Sequence, residues 1–278
     1  MLDLPLPAIT LAFLDFETTG LSPHQGDRVC EVALQRVVNG MVEMSYTTLV
    51  NPQRPQSARS FAVNQISAEQ LANAPTFFAI AGSLRAALAD TVIVAHNAPF
   101  DLEFLHAELA HASQPPLRVP SIDTLAIARR LFPKRPSHSL AALATALGSP
   151  PPSHRAMDDV LALRVVFDDM IVHLAALGIT KLGDLLRYTR GLRPDDPEPI
   201  APAVVAEALR DGKLLKIVYT SRNMPTPTER LIRPIEITSE NGVLFLRAYC
   251  YLREDLRAFV IAKMSVIEIS EGSAARAE

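Results

Sequence analysis

Five side chains in this sequence could do chemistry together. Asp15 and Glu17 sit two residues apart in "FLDFETTG", within an otherwise apolar run. Alternate residues of a strand point the same way, so residues 13, 15 and 17 share one face. Two carboxylates on one face of a mostly buried strand repel each other, and both resist losing water. A basic partner, a shared proton or a metal ion must compensate. Asp101, in "HNAPFD", opens a helical stretch with Phe104 and Leu105 on its side. Asp158 and Asp159, in "SHRAMDDVLALRVVF", both have apolar residues at i+3 and i+4, so periodicity alone does not choose between them. His154 precedes them. Taken singly, Asp101 and the Asp158/Asp159 pair also read as first-turn acids favoured by a helix dipole, and His154 as a packing or surface histidine. An all-oxygen, acid-rich site suits Mg²⁺ or Mn²⁺ better than Zn²⁺.

The elements that must position these groups are readable from pattern. Residues 11–17 form a first strand. "RVCEVALQRVV" and "MVEMSYTTLV" form a hairpin through Asn39-Gly40, where both positions tolerate positive φ. "NPQRPQSARS" reads as a loop, Pro75 opens a helix to about Leu88, and "TVIVA" is a short buried strand. Helices are expected from about Pro99, and over roughly 121–131, 138–147 and 156–176. Strands followed by alternating strands and helices define an α/β domain.

"RGLRPDDPEPIAPA" reads as a stiff, solvated linker. A short helix, "VVAEALRDGK", follows and ends at Asp211-Gly212. The β-rich runs "LLKIVYT", "ERLIRPIEIT", "GVLFLRAYC" and "LRAFVIAKMSVIEI" come next, with Asn241-Gly242 as a further hairpin turn. The expected division is residues 1–176, a helical and Pro-rich linker over 177–202, and a small, mostly β domain over 203–278.

Composition is that of a globular chain, with 49% hydrophobic and 21% charged residues. No apolar run is long enough for a bilayer, and the N-terminus lacks the basic region of a signal peptide. The two cysteines, Cys30 and Cys250, read as free thiols of a reducing cytoplasm. A net charge of −3 neither requires nor excludes a phosphate-bearing partner.

Read together, "DFETTGL", "HNAPFDLEFL", "IDTLAIARRLFP" and "HRAMDD" resemble the DEDDh 3′→5′ exonucleases, in order and spacing, over about residues 8–175. That resemblance implies a ribonuclease H-like fold with a mixed five-stranded sheet. It places Asp15, Glu17, Asp101 and Asp159 as ligands of two divalent cations and selects Asp159 over Asp158. It makes His154 the general base, a role suited to an imidazole whose unperturbed pKa is about 6.5. Thr18, Leu21 and Phe100 would contact the terminal nucleotide, while His96 and Asn97 are structural. The implied activity is release of nucleoside monophosphates from 3′ ends, with DNA as the first choice of polymer. RNA trimming and a non-catalytic 3′-end binding role are the alternatives. One departure stands out: where the family often reads hydrophobic-His-Gly-Ile, this chain has Val63-Asn64-Gln65-Ile66. Residues 203–270 resemble the WYL domain, an Sm-like β-barrel linked to nucleic-acid or nucleotide-like ligands. Arg233, Arg257 and Lys263 are the expected phosphate-holding residues there.

Overall fold

In this computed structural model, residues 1–192, 200–221, 224–240 and 243–273 are described. The chain divides into two compact units, Met1–Leu186 and Arg187–Glu278.

The first unit is built on a five-stranded mixed sheet. Its strands are β1 (Leu11–Thr18), β2 (Val29–Val38), β3 (Met41–Leu49), β4 (Val92–Ala95) and β5 (Ser121–Asp123), in the order β3-β2-β1-β4-β5. β1, β2 and β3 pair antiparallel, while β4 runs parallel to both β1 and β5. The helices are α1 (Ala58–Asn64), α2 (Ala68–Ala72), α3 (Phe77–Leu88), α4 (Ala98–His111), α5 (Thr124–Leu131), α6 (Leu140–Ala146), α7 (Ala156–Ala176) and α8 (Leu182–Thr189).

β1 is central and covered on both faces, which explains its near-continuous hydrophobicity. Ala12, Leu14 and Phe16 pack in one cluster with Phe77, Leu84, Phe104 and Leu105 of α3 and α4. On the other face Phe13 meets Phe167 of α7 edge-on, ring centroids 5.6 Å apart. Asp15 and Glu17 share this second face, toward α7. The Asn39-Gly40 turn has positive φ at both residues, as expected.

Some local expectations change. The stretch 121–131 is not all helix: Ser121–Asp123 is a strand paired to β4, and α5 starts at Thr124. A three-residue strand running straight into a helix leaves no period of its own. The segment taken as a loop over 51–60 gives way to α1 at Ala58, with α2 soon after. Ser57 caps α1, and Ser67 with Gln70 forms a full capping box on α2. The helix expected from Pro75 begins at Phe77.

The second unit opens with α9 (Ala203–Asp211), closed by Gly212 at φ +64°. An antiparallel sheet follows: β6 (Lys213–Ser221), β7 (Met224–Glu240), β8 (Val243–Cys250), β9 (Asp255–Val260) and β10 (Met264–Ser273), in the order β10-β6-β7-β8-β9. The run expected over 256–269 is divided by a 3-10 turn at Ile261–Lys263. Val205, Ala208, Leu215, Ile217, Ile232, Leu246 and Phe259 form its core. Asn241-Gly242 and most of the Pro-rich stretch lie outside the described residues. No helix among the described residues is long and apolar enough to cross a membrane.

Candidate active site

The carboxylates converge toward one end of the first sheet, where the parallel strands β1 and β4 finish. β1 supplies Asp15 and Glu17 from its middle and end. β4 ends at Ala95, and the chain turns through Asn97 in the left-handed region (φ +71°) into α4. That turn is held by Asp123, which accepts from the Asn97 N–H at 2.9 Å and the Leu125 N–H at 3.0 Å. The His96 ring lies 3.0 Å from Thr124 Oγ1. His96 and Asn97 therefore shape the backbone that presents Asp101. Asp101, 3% exposed, accepts from the Phe16 N–H at 3.2 Å, across from its own helix to β1.

α7 delivers the remaining groups from the other layer. Asp159 is buried at 9% exposure, whereas Asp158 is exposed and accepts from Ser153. The choice left open by periodicity is thus made by burial in favour of Asp159. His154 is exposed, with φ +59°, just ahead of the helix. One potential ligand atom each from Glu17, His154 and Asp159 lies within 4.8 Å of the others. Asp15 stands outside that tightest group, yet feels the charges of Asp101, Asp159 and Glu17.

Burial and mutual repulsion set the electrostatics. Burial first, then the Asp101, Asp159 and Glu17 charges, hold the Asp15 carboxyl well above the usual carboxylate range. Glu17 is pushed up to about 8 by burial and by Asp159, against a lowering hydrogen bond from Asn64. Asp101 rises to about 8 through burial, despite the Phe16 N–H. Asp159 rises to about 6 through burial, with His154 opposing.

Two other buried acids show what ordinary compensation looks like. Glu108 takes a bidentate pair from Arg28 at 2.8 and 2.7 Å and the Val29 N–H at 2.9 Å. Glu31 takes Arg155 at 3.1 and 2.8 Å and the Ala156 N–H at 3.1 Å. Among the described residues, Asp15, Glu17, Asp101 and Asp159 have no such ion pair. Asp159 Oδ1 is buried without any hydrogen-bond partner. Acids gathered this way, with an orphaned oxygen, fit divalent cations as the missing countercharge.

The neighbouring residues were only partly foreseen. Thr18 is buried and donates to the Gly20 carbonyl at 2.6 Å, so its hydroxyl proton serves the turn. Gly20 is required by close approach: a Cβ there would lie 2.2 Å from Asp27 Oδ2. Leu21 is 67% exposed beside the site, and Phe100 packs on Phe104 with centroids 4.9 Å apart. Sequence reasoning passed over Glu31, Arg155 and Asn64 as functional residues. Glu31 and Arg155 fix the start of α7. Asn64 is buried close enough to Glu17 to hold its pKa down, its Nδ2 donates to Cys30 Sγ at 3.6 Å, and its Oδ1 accepts from Gln56 Nε2 at 2.7 Å and the Ile66 N–H at 3.1 Å. The Val63-Asn64-Gln65-Ile66 departure was the available signal. In the second unit, strand register puts Arg233 opposite Tyr249 but Arg257 opposite Ala248. Arg233 and Arg257 therefore point to opposite faces and do not converge. Arg257 is also paired with Asp255 at 2.9 Å.

The comparisons with known proteins agree with this geometry. Residues 12–167 match the exonuclease family and residues 201–269 the WYL domain. The chain belongs to the exonuclease family. It is 37% identical over 192 residues to a DNA polymerase III subunit epsilon-like protein of Rhodobacter capsulatus, an alignment covering 67% of this chain and 27% of that protein. It is 34% identical over 170 residues to the DNA polymerase III subunit epsilon of Treponema pallidum, covering 60% of this chain and 79% of that one. The chain thus spans about a quarter of the length of the first of these relatives. The fold is shared with the nuclease domain of 3′hExo, a DEDDh family member solved with rAMP, at a TM-score of 0.52 and 15% identity over 61% of this chain and 94% of that domain.

Proposed function

We propose that this chain is a 3′→5′ exonuclease that releases nucleoside monophosphates from the 3′ ends of DNA. The observation that carries this reading is the set of four acids gathered on β1, α4 and α7, none in a salt bridge with Lys or Arg among the described residues and one with an orphaned oxygen. Asp15, Glu17, Asp101 and Asp159 would hold Mg²⁺ or Mn²⁺. Bound there, the cations would lower the pKa of water and stabilise charge on the attacking and leaving oxygens.

The protein's own groups supply the rest. An imidazole nitrogen of His154 accepts the proton of the attacking water. The new bond forms from that water oxygen to phosphorus, and the bond to the 3′ oxygen of the preceding nucleotide breaks. The exposed His154 can reach solvent with its proton after each cycle. The Glu31–Arg155 pair and the Glu31–Ala156 bond fix the backbone beside His154. Asn64 orients Glu17. Leu21 and Phe100 offer apolar surface to the terminal base, and Thr18 holds the turn that presents Leu21.

DNA is favoured by the relatives named as polymerase III epsilon subunits. We also propose an exonuclease domain, a linker and an accessory unit over 203–278, with the first domain extended from the expected 176 to Leu186 because residues 180–183 bond back to the N-terminal segment; proteolysis at the prolines of 194–202 that leaves two stable fragments would support it. The central experiment is single-stranded DNA and RNA of one sequence, 5′-labelled, incubated with Mg²⁺ or Mn²⁺. A ladder shortening from the 3′ end of DNA supports the reading. Faster RNA shortening transfers it to 3′-end trimming of RNA, and binding without shortening leaves a 3′-end sensor.

A further inference from the structure

The second unit hides one cation. Among its described residues Arg230 is the single charged side chain in the interior, 7% exposed. The register of β6 and β7 sets Arg230 opposite Ile217 and Thr228 opposite Tyr219. Ile217, Tyr219, Ile232 and Phe259 belong to the core, so Arg230 points inward among them. Four more accessible cations of this unit are paired: Arg210 with Asp211, Lys213 with Glu207, Arg247 with Glu236 and Arg257 with Asp255. Arg230 has no carboxylate partner among the described residues.

The arginine is nonetheless held in one place. Its guanidinium lies over two rings, 5.5 Å from the Tyr219 centroid and 5.7 Å from the Phe259 centroid. Those rings meet edge-on at 5.1 Å, and the Tyr219 hydroxyl accepts from the Val260 N–H at 3.3 Å, so the end of β9 curls back to β6. Nε of Arg230 donates to Thr228 Oγ1 at 3.1 Å, and that hydroxyl donates to the Tyr219 carbonyl at 3.3 Å. Ring faces attract a cation but do not accept its hydrogen bonds as an oxygen does. The terminal nitrogens, Nη1 and Nη2, have no acceptor among the described residues. Neither is an orphan sealed from solvent, so both reach the surface.

A buried cation left unpaired is destabilising, and an anion that reaches it relieves that cost. The two free nitrogens form the end-on fork that grips two oxygens of one carboxylate or phosphate. The rings and Thr228 fix the guanidinium before any ligand arrives, so little freedom is lost on binding. The chemistry proposed for the first unit supplies one anion in particular. Each cycle frees a 5′-phosphate monoester, which carries about 1.5 to 2 negative charges at neutral pH.

We infer that Arg230 anchors an anion site in the second unit and that its ligand is a phosphate monoester, either a free nucleoside 5′-monophosphate or the 5′-phosphate end of a strand. The site stands on Arg230 itself, while the choice of phosphate over carboxylate rests on the exonuclease reading above. It lies on the inner face of β7, and Arg233, three residues on, takes the opposite face.

The test is calorimetric titration of the full chain in EDTA, which strips the acid cluster of cations that would themselves bind phosphate. The ligands are inorganic phosphate, deoxyadenosine 5′-monophosphate, deoxyadenosine, succinate, and a short oligonucleotide with and without a 5′-phosphate. Phosphate and the monophosphate should bind, and deoxyadenosine should not. Arg230→Lys, which keeps the charge and loses the fork, should raise the Kd of the monophosphate by about 10- to 100-fold. Arg230→Met should abolish binding and, with no anion present, melt no lower than the wild type, since it removes an unpaired charge at similar volume. Arg233→Ala should leave the Kd unchanged. Wild-type affinity in Arg230→Lys overturns the site, and so does a wild type that binds none of these anions. Tighter binding of succinate than of the monophosphate overturns the phosphate assignment. Binding of the oligonucleotide only when it carries its 5′-phosphate supports a strand end as the source, and preference for the mononucleotide supports the free product. If the first unit shortens no nucleic acid, the exonuclease reading falls, and the titration, which needs no turnover, still decides the anion site.

Discussion

Glu17 and Glu31 stand directly opposite each other on β1 and β2, and only one of them is neutralised. Like charges facing each other across antiparallel strands destabilise the pair. Glu31 is answered by Arg155 and the Ala156 N–H, while Glu17 has Asn64 and a nearby acid, Asp159. One member of the pair is thus fastened into the scaffold, and the other is kept available.

Replacing Asp15 by Asn should abolish hydrolysis and leave the fold intact. It removes one of several mutually repelling buried acids, so the variant should melt above the wild type in EDTA. Activity assays and thermal melts check both parts. Near-wild-type turnover in Mg²⁺ would be incompatible with the proposed role of Asp15.

The apo protein should lose stability as pH rises. Each acid has a folded pKa above its unfolded value, so the native state binds more protons in between. The contribution is fully present below about pH 4, the unfolded range. It is lost as pH rises through about 6 for Asp159 and about 8 for Glu17 and Asp101. Melts in EDTA at pH 5.5 and 8.5 should show the decline, and Mg²⁺ should offset it most at the higher pH. A flat profile in EDTA counts against a strained acid cluster.

His154→Ala should lower kcat by roughly 10²–10⁴, the range for loss of a general base. Cation affinity, followed by Mn²⁺ titration, should change little. A parallel collapse of affinity would instead make His154 a ligand, which its nearness to Glu17 and Asp159 allows to be tested directly.

Arg155→Ala should cost about 1–3 kcal/mol, less than a fully buried pair because Arg155 is half exposed. It should also reduce kcat, since His154 lies beside the loosened residue. Denaturant unfolding and kinetics on one preparation separate the two effects.

Gly20→Ala should displace Asp27, whose carboxylate accepts from the Ser22 N–H at 3.1 Å and contacts Arg54. Overpacking of this kind costs about 1–3 kcal/mol. A variant as stable as the wild type would mean that the turn after β1 relaxes freely.

Much of this was legible in the chain. Asp15 and Glu17 betray themselves as acids in an apolar strand, and the resemblance of "HRAMDD" to the exonucleases selects Asp159 over Asp158 before burial does. Contacts at long range were not legible. Glu31 and Arg155 are 124 residues apart, and only the docking of α7 on β2 brings them together. Ser121–Asp123 hid in a helical pattern because three residues carry no period. In the second unit alternation along each strand was visible, but the pairing register that sends Arg233 and Arg257 to opposite faces was not.

The acids come from opposite layers, and this ties activity to synthesis. Asp101 arrives with α4, on the side of the sheet lined by Leu14 and Phe16, and Asp159 arrives with α7, on the side of Phe13. A chain emerging from the ribosome carries Asp15 and Glu17 early, but it lacks Asp159 until α7 has been made and has docked. Under the proposed function, a nascent or half-folded molecule would be a harmless one, unable to attack nucleic acid near the ribosome until α7 closes over the sheet.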